Sequence, residues 1–237
     1  MRFRPYPGMT IATAILFVIL CGLGVWQGAI RLPRKLNLIA AMQSHMTAPP
    51  IGIDQAMTLP AQDAQYRRVT LRGRFDHAKE AYIFTTGGGT GVYHVLTPFT
   101  TDDSRTLMVD RGLVTKEHLD PAGRAGANVS GETQVTGVWR TPDRGGLFTP
   151  PPDTAHRVWY VRDLAAIAAA DRLTLAAPVV IEADATPNPG GWPKGGQTVV
   201  DLPNNHLSYA VTWFGLAACL LGVWLAYHIN KARIAWR

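Results

Sequence analysis

The sequence predicts a membrane hairpin: two transmembrane helices flanking a β-rich α+β domain on the non-cytoplasmic side. Three observations predict it. Two apolar stretches without a single charged residue stand near the ends of the 237-residue chain, Pro5 to Ile30 and Leu202 to Asn230. All seventeen carboxylates lie between Asp54 and Asp201. The two short tails carry Arg2, Arg4, Lys231, Arg233 and Arg237 and no acid. The expected order is a tail (1–9), a first span (10–30), a domain (31–203), a second span (204–228) and a second tail (229–237).

The first span, TIATAILFVILCGLGVWQGAI, supplies the roughly 20 apolar residues a bilayer requires. A cleaved signal peptide is the competing reading. Its apolar region normally runs about 7–15 residues and ends at a small-x-small site. Here the stretch is longer and runs into WQGAIRLPRK, and Cys21 follows the bulky Leu20, so an uncleaved anchor is expected. Short flanks rich in Lys and Arg stay cytoplasmic, whereas long domains cross largely regardless of charge. Both termini are therefore expected in the cytoplasm. The formal net charge of +6 then reads as a topology signal and not as a nucleic-acid surface. With the first span starting near residue 10, no room is left for a transit peptide, and a bacterial plasma (inner) membrane with a periplasmic domain is the expected setting.

The only cysteines, Cys21 and Cys219, fall inside the spans, so the domain has neither a disulfide framework nor a thiolate metal site. After an irregular or partly helical Pro- and Ala-rich tract come strand-like runs at 67–75, 80–85, 92–99, 105–114 and 133–139. A helix opened by Asp163 (163–172) and a strand at 178–184 follow. A curved sheet or partial barrel is expected. The Gly-rich TTGGGTG (85–91) lacks the Lys-Ser/Thr of a phosphate loop and reads as a hairpin turn; TPPPD (149–153) reads as a turn or rigid connector. His45, His77, His94, His118 and His156 share no metal-like spacing, and no nucleophile–His–acid grouping or carboxylate pair stands out. Nothing in the sequence argues for an enzyme. Two helices without an internal charge also offer no transport pathway.

The second span carries polar residues at its entry: Asn204, Asn205, His206, Tyr209, Thr212 and Trp213. The exit of the first carries Trp26, Gln27 and Arg31, and with both tails on one side these two sets lie at the same membrane face. Gly24 and Gly28, four apart, permit close helix approach, as do Ala218 and Gly222. Residues 206, 209, 210, 213 and 217 are expected on one helical face. An ionisable group at a membrane boundary is a functional candidate, and a neutral imidazole is a common metal ligand. A planar lipophilic cofactor such as haem would suit this face, with His206 as the axial ligand to iron. The competing reading makes His206 an interfacial cap and Trp213 a packing residue, and the residues alone leave both open. His228 lies 22 residues further on, about 33 Å away along a helix, and reads as an interface residue beside Trp224 and Tyr227.

Several segments, covering nearly the whole chain, resemble the surfeit-locus (Shy-type) family of cytochrome c oxidase assembly factors. They are LGVWQGAIRLPRK (23–35), YRRVTLRGRF (66–75), GVYHVLTPF (91–99), LMVDRGLV (107–114) and, most specific, GGWPKGGQTVVDLPNNHLSYAVTWFGLA (190–217). Asp110 and Leu113 depart from the family's Asn and Trp, and Ala29 and Leu32-Pro33 from its bulkier first-helix exit. The resemblance implies a non-enzymatic part in building the oxidase: holding haem a and presenting it for insertion into subunit I. Subunit I and haem a synthase are the implied partners beside membrane lipid. By the same match His206 is the implied haem ligand. Trp26, Gln27, Arg31, Tyr209 and Trp213 are implied at the haem or subunit surface. A haem-free scaffold for a subunit I folding intermediate is the alternative.

Overall fold

A computed structural model describes residues 2–87, 89–142, 145–199 and 204–235. They fall into two compact units, Met1–Ala41 with Asp201–Arg237, and Met42–Val200. In chain order the elements are β1 (Arg2–Phe3), α1 (Pro7–Val25), a π-helical segment (Trp26–Arg31), α2 (Leu32–Thr47), β2 (Ile51–Gly52), α3 (Ile53–Thr58) and α4 (Ala61–Ala64). Next come β3 (Arg68–Phe75), β4 (Ala81–Gly87), β5 (Thr90–Thr101), β6 (Thr106–Thr115), β7 (Thr133–Arg140) and β8 (Val158–Trp159). The chain ends with α5 (Leu164–Ala170), β9 (Val180–Ala183), α6 (His206–Asn230) and β10 (Ile234–Ala235).

The helical unit is built inside out relative to a soluble fold. Helix α1 buries only Thr13 and Gly24, and α6 only Ala210, Ala217 and His228. The large apolar side chains face outward; Val18, Val211 and Val223 are each more than three-fifths exposed. Both helices are long and apolar enough to cross a membrane. The first does not stop at Ile30, where the sequence suggests the span ends. Helix continues without a break to Thr47. Pro33 offers no N–H and its ring crowds the carbonyl four residues back. The wider π turn just before it, with the Leu32 N–H bonded to the Gln27 carbonyl, takes up this misfit.

At the opposite end of α6, His228 is wholly buried rather than interfacial. Its Nε2 accepts the Tyr6 backbone N–H at 3.1 Å, and its Nδ1–H donates to the Trp224 carbonyl at 2.8 Å. Rings of Tyr6, Trp224 and Tyr227 surround it at 4.5–5.8 Å. Trp224 donates in turn to Thr10 Oγ1, and β1 pairs antiparallel with β10. Every polar atom of the imidazole is used, which suits a residue without access to water.

The domain unit carries an eight-stranded sheet in the order β2-β3-β7-β9-β6-β5-β4-β8, closed into a barrel by direct β3–β5 pairing. Strands β3, β7, β9, β6 and β5 form the ring. β6 and β9 are covered on both faces, so their apolar runs are continuous rather than alternating. Leu107, Val109 and Ile181 enter the core with Val69, Leu71 and Phe99; Met108 and Val180 enter a second core with Ile83, Leu96 and the α5 residues Leu164 and Ile167. Strands β4 and β5 form an antiparallel hairpin paired down to Gly87↔Thr90, where the Gly-rich run was expected to turn; Gly88 itself lies outside the described residues. Asp163 caps α5 by accepting the Ala166 N–H.

Between β4 and β6 lies a charge cluster that no spacing in the sequence announces. Glu80 is 2% exposed and pairs with Arg111 and Arg124, themselves buried. Burial works to raise its pKa. Hydrogen bonding from His77 and Arg124 and the charges of Arg124 and Arg111 outweigh it and hold the carboxyl at about 2, below the ordinary 4.5. A group depressed in the folded state stabilises the fold above its unfolded pKa and ceases to do so as pH falls through the folded one. Glu80→Ala, which strands two buried guanidinium groups, is therefore expected to cost about 3–5 kcal/mol in chemical unfolding at pH 7. The deficit relative to wild type should shrink as pH drops from 4.5 toward 2.

Candidate functional site

The site predicted from the sequence lies in the helical unit, and its centre is one hydrogen bond. His206, the first residue of α6, has Nδ1 2.8 Å from Oε1 of Gln27 in the π segment. An amide oxygen can only accept, so Nδ1 is the donor, and in the neutral ring Nε2 then carries the lone pair. Among the described residues no protein atom bonds Nε2.

This geometry depends on close helix approach. A Cβ added to Gly24 would lie 2.8 Å from the Phe214 ring, and one on Gly28 would stand 3.6 Å from Ala210 Cβ. Gly24 and Gly28 thus form the contact their spacing suggested, with Phe214 and Ala210 as counterparts. Small residues at i and i+4 let the backbones come near enough for short side chains to meet. Ala218 is exposed, and a Cβ on Gly222 would meet nothing within 4 Å.

Not all the predicted residues converge. Ala210 and Ala217 are buried and His206 and Trp213 half-buried, in keeping with one inward face at spacings of 4, 3 and 4. Tyr209, expected on that face, is 54% exposed because it stands about 60° round the helix from His206. Trp26, Gln27 and Arg31 all lie in the π segment. Trp26 and Arg31 are exposed, with the guanidinium 5.1 Å from the indole centroid. Two buried polar atoms of the second apolar segment, Asn204 Oδ1 and Trp213 Nε1, have no hydrogen-bond partner among the described residues. An orphaned buried donor or acceptor is costly and calls for a partner.

The domain holds a second polar cluster, also unseen in the sequence. Asp110 is 2% exposed; it binds His94 Nδ1 and Arg162 at 2.8 Å and accepts the Gly112 N–H at 2.9 Å. Burial acts to raise its pKa, but His94, Arg162 and the Gly112 N–H hold it below the usual carboxylate range. Arg162 also reaches Glu182. Asp110, at a family departure, is thus a structural anchor. The available signal was a charged pair, Asp110-Arg111, inside an otherwise apolar strand. Glycines of GGWPKGG are also structural: a Cβ on Gly195 would lie 2.2 Å from the Asp184 carbonyl oxygen, and one on Gly196 (φ +72°) 2.7 Å from Ala185 Cβ. Lys194 bridges Leu113, and a Cβ on Gly112 (φ +114°) would lie 2.0 Å from the Lys194 carbonyl oxygen. That run is pinned across β6. Among the described residues no group of three or more His, Cys, Asp or Glu could hold a metal ion.

Two membrane-length helices flanking a β-barrel domain, and meeting over a histidine–glutamine pair, define the architectural class. Comparison with known sequences makes the class specific. The SURF1 family pattern matches residues 14–218. Surfeit locus protein 1 of Takifugu rubripes is 37% identical over 233 residues, 90% of this chain and 94% of its own. The Homo sapiens protein of that name is 36% identical over 221 residues, 86% and 72%. A SURF1-like protein of Drosophila melanogaster is 35% identical over 230 residues, 89% and 74%. The chain belongs to the SURF1 family of cytochrome c oxidase assembly factors, which are not enzymes.

The helix contact makes a direct prediction. In a chain with Cys21 and Cys219 changed to Ser, the pair Gly28→Cys and Ala210→Cys should form an intrachain disulfide on mild oxidation. The separation of 3.6 Å lies within the normal Cβ–Cβ range. Adding Gly24→Leu should suppress the cross-link, read as gel mobility with and without reductant.

Proposed function

We propose that the chain holds haem a at the outer face of a bacterial plasma membrane and presents it to subunit I of cytochrome c oxidase, docking there transiently. In this reading both termini are cytoplasmic, residues 10–30 and 204–228 span the bilayer, the domain is periplasmic and haem a synthase is the neighbouring supplier. The Gln27–His206 bond carries the proposal. It fixes the tautomer that leaves Nε2 as a lone-pair donor, the arrangement in which a histidine ligates iron while its other nitrogen is held by the protein. The residue types fit haem: one imidazole, aromatic Tyr209, Trp213 and Trp26, and Arg31 as a cation for the carboxylates of the cargo. Trp213 and Asn204, whose buried atoms lack partners among the described residues, support a site that is completed by a ligand. Haem a is cargo here; its redox chemistry belongs to the oxidase.

One observation favours a haem-free scaffold that steadies a folding intermediate of subunit I. Gly24–Phe214 and Gly28–Ala210 close the helix contact with protein atoms alone. Pigment separates the readings. Protein purified in detergent from cells making haem a should carry a Soret band. His206→Gly should lose it and regain it with added imidazole, while His156→Ala, at an exposed histidine, should keep it. A colourless wild-type protein would sink the haem reading and leave the scaffold.

A further inference from the structure

The positive charge of the chain is concentrated in its helical unit. Among the described residues of that unit stand Arg2, Arg4, Arg31, Arg34, Lys35, Lys231 and Arg233, and no carboxylate. These cations form two groups at opposite ends of α1. Arg2, Arg4, Lys231 and Arg233 lie in and beside the β1–β10 pair, and the retention of basic tails on the cytoplasmic side accounts for them. Arg31, Arg34 and Lys35 stand at the other end, where that rule calls for no cation.

Three observations say what this second group faces. First, its position matches the thickness of a bilayer. From Pro7, where α1 begins, Arg31 lies 24 residues further on, about 36 Å at 1.5 Å per residue. A hydrocarbon core is about 30 Å thick, and a bilayer with its headgroup regions about 40–45 Å. A span that starts in one headgroup layer therefore delivers Arg31 to the other. Second, the three cations share one side of the helix. At 100° per residue Arg34 and Lys35 stand about 60° and 40° to either side of Arg31. Arg31 and Arg34 are exposed and Lys35 is half-buried, and none of them enters an ion pair among the described residues. Third, the Arg31 guanidinium lies 5.1 Å from the centroid of the exposed Trp26 indole, and tryptophan collects at the headgroup level of a membrane.

We propose that Arg31, Arg34 and Lys35 form a binding site for the headgroup of an anionic phospholipid, in the leaflet opposite the two tails. The guanidinium groups donate charge-assisted hydrogen bonds to the lipid phosphate, and the Lys35 ammonium adds a third positive charge. Below them the exposed apolar side chain of Ile30 faces the acyl chains. An acidic protein segment would answer the charge, but it would account for neither the bilayer spacing nor the indole, which favours lipid. The site rests on the membrane placement proposed above. It does not rest on haem, since Arg34 and Lys35 have no part in the haem site.

The test uses the full-length chain in detergent micelles, titrated with phosphatidylglycerol or phosphatidylcholine, with bound lipid counted by native mass spectrometry. Phosphatidylglycerol is expected to bind more tightly than phosphatidylcholine. Arg34→Gln/Lys35→Gln should weaken the tightest phosphatidylglycerol site roughly tenfold or more. The charge-conserving Arg34→Lys/Lys35→Arg should keep it. Arg2→Gln/Lys231→Gln, which removes the same charge at the other end, should leave it unchanged, as should His206→Gly. Equal binding of the two lipids, or equal loss in both double Gln variants, would overturn the site and point to an acidic protein segment as the counter-charge. Displacement of the bound lipid by soluble glycerol phosphate would overturn it in favour of a free phosphate. Recovery of the chain in the soluble fraction of cells would overturn the membrane placement and this site with it.

Discussion

The close approach of α1 and α6 is the constraint on which the candidate site depends. Gly24 admits the Phe214 ring and Gly28 admits Ala210, and only at that separation can the short amide of Gln27 reach the imidazole of His206. Hydrogen bonds between membrane helices contribute modestly, about 0.6 kcal/mol on average and up to roughly 1.7. The Gln27–His206 bond therefore orients more than it stabilises. The opposite end of the pair is where the helices are fastened. There a buried His228 uses both ring nitrogens, Trp224 binds Thr10, and β1 pairs with β10. Of the two histidines of α6, one is consumed by structure and the other keeps a nitrogen free.

The domain shows the same division between groups that hold the fold and groups left over. Glu80, Arg111 and Arg124 satisfy one another inside it, and Asp110 locks His94 and Arg162 to the barrel. Breaking such buried pairs is expensive because the remaining charge has no solvent. These charges are the domain's rivets, although their residue types look chemical. The run GGWPKGG is held by close backbone contacts of the same structural kind, Gly195 against the Asp184 carbonyl and Lys194 against Gly112. Among the described residues several buried polar atoms are left over, the Trp159 indole N–H and the Thr97 hydroxyl among them.

Much of this was legible in the chain. Charge-free runs of sufficient length mark the two apolar helices, and alternation with turn residues marks β3 to β7 to within two residues. The 4-spacing of Gly24 and Gly28 and the 3–4 spacing from His206 identify the inward faces. Three things were hidden, for physical reasons. The extension of the first helix to Thr47 was masked because Pro33 reads as a terminator, while a π turn absorbs it. Barrel closure by β3–β5 is a pairing between segments about 25 residues apart, which local pattern does not encode. The buried charge clusters join residues as distant as Glu80 and Arg124, so each looked like an ordinary surface charge until the strands brought them together. Tyr209 erred for a smaller reason: a spacing of three leaves it about 60° off His206, enough to turn it outward.

The tautomer of His206 is the most direct test of the central claim, because the proposed site depends on which ring nitrogen Gln27 holds. Nitrogen-15 NMR of histidine-labelled protein in lipid nanodiscs, with His206 assigned by comparison with His206→Gly, reads each ring nitrogen separately. In the neutral ring the account predicts the proton on Nδ1 and an unprotonated Nε2, and loss of that preference in Gln27→Leu. A ring protonated on Nε2, or one indifferent to Gln27→Leu, would contradict it.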